Sequence, residues 1–387
     1  MTQYTIDLNT RIVPPQRQVW RLFPGKKYRF LQSFERQHSV FLDLPGLQLP
    51  DGPITSDLPD LDARILAARA IEPWAARAAQ LARQGRTDEI PDPPDRDIAA
   101  YADKRLPKEA HTDKGAVIGF FARAAIGDLV VVPDAIPTRR VLIGEFIDGP
   151  ERRTSVILPE MYGDEPMPAR LVRWYPPVNE LELSAELSTV LRRPNAFTLL
   201  GQSFHQEIFD HSYGTYYADG VYATRLWTEA ERFTTEDALS LSLLSRLAST
   251  VAQAQEAGLS DPVQIAHIWQ VLEVDVAERF LLDLKVNINS PGSLALKSRT
   301  LAPLILAALF SLLTTASAAE PQPNPNGAKV VNTAATGTPD PCAPAVDEAV
   351  REALSYMQYD VWRNACLRAK SLAEHPRMRG DSRAATR

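Results

Sequence analysis

The stretch Thr300–Ala319, TLAPLILAALFSLLTTASAA, runs for 20 residues without a charge. At 1.5 Å rise per residue, a helix of about that length covers the roughly 30 Å hydrocarbon core of a bilayer. Leu301, Leu304, Ile305, Leu306, Leu309, Phe310, Leu312 and Leu313 supply apolar surface, while Pro303 and the Ser and Thr residues at the far end weaken it. Lys297 and Arg299 precede the stretch and no basic residue follows until Lys329, which by the positive-inside rule leaves the N-terminal side in the cytoplasm. Two other readings stand beside a transmembrane anchor. One is a buried helix of a globular domain; the other is an internal signal cleaved at Ala316-Ser317-Ala318. The first residues of the chain lack the basic-then-apolar order of an export signal.

Beyond this stretch, Glu320 to Pro344 carries six prolines with Asn, Gly and Thr and reads as a linker. Val350, Leu354, Met357, Val361, Ala365 and Leu372 then recur at helical spacing in a short tail. Both cysteines, Cys342 and Cys366, lie on this side, and a disulfide closing about 25 residues would contribute roughly 3 kcal/mol. Disulfides persist in oxidising compartments. The expectation is therefore a single-pass protein of the inner (plasma) membrane, with a cytoplasmic N-terminal domain and a periplasmic or otherwise extracytoplasmic tail.

At 387 residues, two or three folded units are expected. The 45% hydrophobic and 23% charged content excludes a polytopic membrane protein. A net charge of −6 opposes coating nucleic acid by bulk electrostatics. Of the 31 prolines, those crowded at 87–95 and 321–344 mark loop and linker.

Before residue 200 the apolar residues form short runs bounded by turn residues. Strands are predicted at 18–23, 39–44, 128–133, 140–147, 152–158, 170–175 and 196–200, and helices at 61–82, 116–124 and 179–191. This order predicts an α+β domain on a small, curved sheet.

Three runs in this region carry a resemblance: Ala125-Ile126-Gly127-Asp128-Leu129-Val130-Val131-Val132-Pro133, Arg140-Val141-Leu142-Ile143-Gly144-Glu145-Phe146-Ile147-Asp148-Gly149, and Arg170-Leu171-Val172-Arg173-Trp174. With Val19-Trp20-Arg21, Val40-Phe41-Leu42-Asp43-Leu44 and Leu183-Ser184-Ala185-Glu186-Leu187, the region from about 17 to 201 resembles EVE-like members of the PUA superfamily, found beside restriction-type nucleases. Phe23-Pro24-Gly25-Lys26-Lys27 and Pro45-Gly46 stand where relatives carry an Asn-rich loop and Trp-Gly. The resemblance implies a small barrel whose pocket takes one flipped, often modified, nucleobase. Such a base is recognised by stacking and by hydrogen bonds to its edge. Trp20, Phe41 and Trp174 are then the stacking candidates and Asp43 the acceptor for an exocyclic amine, although aromatics in strands equally suit a core. Arg139, Arg140, Arg173 and Arg192 are the foremost phosphate contacts, with Arg152, Arg153, Arg170 and Arg193 behind them. Interleaved acidic residues between Glu145 and Glu186 suit a mixed solvated surface as well.

After Gly201, Tyr213 to Trp227 reads as an aromatic hairpin with a primed turn at Asp219-Gly220. Thr234 and Asp237 suggest a capping box opening a helix to about Ala257, and Asp261-Pro262 opens a second, to about Leu284, with a broad apolar face for packing or oligomerisation. The six histidines show no metal-ligand spacing with cysteine, and no catalytic or cofactor motif is present.

The domain plan is thus 1–201 ligand-binding, 202–295 hairpin and helical module, 300–319 transmembrane, 320–345 linker and 346–387 tail. The function expected is a non-enzymatic, membrane-anchored sensor of a nucleobase, nucleotide or single-stranded nucleic acid, with a role in antiviral defence. Its partners are the lipid bilayer and a second copy of the chain through 261–284, and no cofactor is expected. A membrane scaffold and a degenerate nuclease subunit are the alternatives.

Overall fold

The computed structural model of the chain describes residues 4–386 except 56, 136–139, 229–231, 259–267, 288–291, 316–328, 332–342, 356, 358 and 376. Two compact units emerge, one of Gln16–Ile208 and one combining Met1–Pro15 with Phe209–Arg387.

In the unit 16–208, Leu129–Pro133 is a central strand, parallel to Val19–Leu22 and antiparallel to Arg140–Phe146. All five of its residues are buried, which is why it reads as a continuous apolar run and not an alternating one. Phe197–Leu199 pairs with Val19–Leu22, and Pro166–Trp174 pairs with Arg140–Phe146, with Ser39–Phe41 and with Thr154–Ile157. One long strand serving three partners makes the sheet curl. Helix Leu61–Arg83 buries Ala63, Ala67, Ala68, Ala75 and Ala79, small residues that permit close approach. The core includes Phe30, Phe34, Phe41, Phe120, Phe121 and Phe146.

In the other unit a six-stranded sheet runs in the order Asp283–Asn287, Gly292–Ser298, Val221–Thr228, Thr215–Ala218, Thr10–Ile12, with Met378–Gly380 also pairing Val221–Thr228. Asp219 and Gly220 turn the hairpin with φ of 49° and 79°, the positive values a primed turn requires. Thr234 and Asp237 form the reciprocal capping box of helix Thr235–Glu256.

The charge-free stretch that begins at Thr300 has a different role from the one expected. It forms helix Ala302–Thr315, 14 residues long, about 21 Å at 1.5 Å per residue. No described helix is long and apolar enough to cross a membrane. Leu304, Ile305, Leu306, Leu309 and Leu312 are each 0% exposed, packed with Leu244, Val251, Val350, Leu354, Val361 and Leu372. A helix apolar on every side belongs in a bilayer or in the middle of a core, and this one is in a core. The anchor, the single-pass inner-membrane localisation and the separate extracytoplasmic tail are therefore corrected. Helices Ala343–Ser355 and Tyr359–Glu374 of that tail contribute to the same core. Lys297, read as a cytoplasmic flank, bonds instead to Asp210.

The disulfide is corrected too. Cys366 is a thiol, 1% exposed among the core residues, and burial raises its pKa; Cys342 lies outside the described residues. The predicted helix 261–284 is not formed in its described part. Ile268–Leu272 and Glu278–Phe280 are short 3-10 turns and Asp283–Asn287 is a strand; Asp261 lies outside the described residues. Val271, Val276 and Phe280 turn into the core.

Candidate functional site

In the unit 16–208 a pocket of about 510 Å³ lies between segments 122–126 and 147–152. Gly127, at φ +83°, makes the first segment possible, since positive φ is open to glycine at little cost. Its N–H donates to Phe146 O at 2.7 Å. Asp128, 3% exposed, then accepts from the backbone N–H of Gln18 at 3.0 Å and of Ala125 at 2.9 Å. Across the pocket, Ile147 N–H donates to Leu171 O at 3.3 Å, and Arg152 N–H closes the 149–152 turn onto Gly149 O at 3.0 Å.

Beneath lies Arg170, fully buried. Its guanidinium donates to Phe120 O at 2.9 Å, Ala124 O at 2.7 Å and Asp148 O at 2.7 Å, and sits 4.1 Å from the Phe146 ring centroid. It thus ties both pocket walls to the core. Arg170 Nε is 3.8 Å from Asp148 Oδ1, and neither atom has a hydrogen-bond partner among the described residues. Burial lowers the Arg170 pKa to about 10 against the attraction of Asp148, Asp128 and Glu151. Burial likewise raises that of Asp148, with Arg170 opposing.

The rim is mixed in character. Ile126 and Ile147 are 62% and 48% exposed, an unusual placement for isoleucine, and Arg123 and Arg152 are exposed beside them. The lining carries no Ser, Thr, Cys, His, Lys or Tyr. It offers apolar contact, the two guanidinium groups of Arg123 and Arg152, and two carboxylate acceptors, Asp148 and Glu151.

The residues singled out from sequence are scattered relative to this pocket. Trp20 is 4% exposed, stacked on Phe197 at 4.8 Å, and its Nε1–H donates to Asp128 Oδ2 at 3.0 Å. Phe41 is 1% exposed, edge-on to Phe34 at 4.7 Å. Both belong to the core. Trp174 is half-buried and donates to Phe34 O at 3.2 Å. Asp43, half-buried, accepts from Arg29 at 2.6 Å and from the Tyr162 hydroxyl. Glu72 joins at 3.5 Å from Arg29. Burial weighs against the Arg29 charge, but Asp43, Tyr162 and Glu72 outweigh it and raise its pKa. This cluster fastens strand Ser39–Phe41 to helices Leu61–Arg83 and Pro159–Tyr162, and it is a second polar site on the same unit.

The foremost arginines are engaged within the fold. Arg140 grips Glu35 with two bonds of 3.0 Å and Asp134 at 3.2 Å. Arg173 holds Glu145 at 2.5 Å. Arg192 binds Glu180, with Tyr28 at 3.0 Å. Arg153 donates to Gly52 O at 2.8 Å, and Arg139 lies outside the described residues. Of the wider set, Arg152 alone lines the pocket. Arg123, Asp148, Ile126 and Ile147 were not singled out; the turn Asp148-Gly149-Pro150 after an apolar strand was the available signal. Among the described residues no group of His, Cys, Asp and Glu is placed to hold a metal.

Compared with protein-family models, curated proteins and solved structures, the chain gives no match.

Proposed function

We propose that the unit 16–208 is a binding domain for a nucleobase or nucleotide, with the ligand seated between 122–126 and 147–152. The observation that carries this reading is the convergence of two exposed isoleucines, two exposed arginines and the Asp148 carboxylate on one pocket of about 510 Å³. That volume lies within the roughly 300–1,000 Å³ usual for small-ligand sites. A base has two apolar faces, for which Ile126 and Ile147 offer contact in place of aromatic rings. Its exocyclic amine or ring N–H donates to a carboxylate such as Asp148, and a phosphate pairs with Arg123 and Arg152. The resemblance of residues 17–201 to EVE-like domains points to the same ligand class, with the stacking aromatics replaced.

The test is a thermal-shift panel on the full chain with nucleosides, nucleoside monophosphates carrying ordinary and modified bases, ribose 5-phosphate and short single-stranded DNA. Base-containing ligands raise Tm and ribose 5-phosphate does not. A shift with none of the base-containing ligands overturns the proposal.

A further inference from the structure

Strand Asp283–Asn287 ends the six-stranded sheet, and among the described residues it pairs with Gly292–Ser298 alone. Asp283, Leu284 and Lys285 are all exposed, Leu284 at 48%. Leu281, just before the strand in sequence, is 42% exposed. Natural edge strands are shielded by a charge pattern that repels pairing, by bulges or by a covering segment.

The sequence Asp283-Leu284-Lys285 says what such a surface accepts. In an antiparallel pair about a two-fold axis at Leu284, each Asp283 stands opposite Lys285 of the other copy. Leu284 meets its own counterpart, and Leu282 stands opposite residue 286. Opposite charges directly across an antiparallel pair are favourable and like charges unfavourable, so this register is self-complementary, as an isologous interface requires. We propose that the chain forms a homodimer by antiparallel pairing of the strands Asp283–Asn287, joining the two six-stranded sheets.

Sedimentation equilibrium on the full chain tests this with exposed residues that leave the core intact. Wild type is a dimer. Lys285→Asp places Asp against Asp twice and weakens dimerisation by roughly tenfold or more. Adding Asp283→Lys to Lys285→Asp restores the opposite-charge pairs and returns the dimer constant to within about threefold of wild type. The proposal is overturned by a wild-type monomer at all concentrations, by a dimer indifferent to Lys285→Asp, or by a double variant as weak as the single one.

Discussion

Lys297 Nζ lies 2.5 Å from Asp210 Oδ2, while the Tyr216 hydroxyl donates to the other oxygen of the same carboxylate at 2.6 Å. The side chains of Lys297 and Asp210 are 20% and 8% exposed, so the pair sits largely out of water. Removing one member of a buried pair strands the other, at a cost of about 3 kcal/mol. Lys297→Met is therefore expected to lower unfolding free energy in urea by about that amount. A change below about 0.5 kcal/mol, the level of an exposed pair, contradicts this account of the site.

Phe41, expected to stack on a ligand, is a core residue among Phe30 and Phe34. Phe41→Ala should cost about 3–5 kcal/mol of stability through the cavity it leaves. Ligand binding by the fraction that remains folded should be unchanged. Full stability combined with lost binding would return Phe41 to the ligand site.

Asp347 has its pKa raised to about 6 by burial, reinforced by Asp7. A carboxyl whose folded pKa exceeds its unfolded value of about 3.9 contributes stability below that value, and the contribution is lost as pH rises through the folded one. Wild type should therefore lose stability relative to Asp347→Asn between about pH 4 and pH 6. Parallel pH profiles of Tm for the two proteins would be the opposite result.

Cys366 is buried and its thiol pKa raised, so it should alkylate slowly in the native chain and readily in denaturant, since the thiolate is the reactive form. Peptide mapping without reductant should find Cys366 alkylated. A peptide linking it to Cys342 would contradict the structure.

What was legible in the sequence was local. Leu129 to Val132 reads as a buried strand because β-branched residues on both faces have no other use, and Asp219-Gly220 reads as a primed turn because few other pairs tolerate two positive φ angles. What failed was non-local. An all-apolar helix is the same sequence signal in a bilayer and in a core, and Ala302–Thr315 is surrounded by segments from 241 to 372 that no local pattern brings together. The pocket was hidden by a break in alternation: Arg170 is 0% exposed while neighbouring Leu171 is 37% exposed, the reverse of what polarity predicts. The strand Pro166–Trp174 shifts its inward face there, as it changes partners.

Occupancy of the pocket between 122–126 and 147–152 by a base-containing ligand is the proposal on which the function rests. It is tested most directly by isothermal titration of a nucleoside monophosphate into the full chain, wild type against the double variant Arg123→Ala/Arg152→Ala. Both side chains are exposed, so folding should be unaffected, which Tm checks. Loss of two charge-assisted phosphate contacts predicts a Kd weaker by roughly tenfold or more at unchanged Tm. Equal affinity in the two proteins would place the ligand elsewhere and overturn the proposed site.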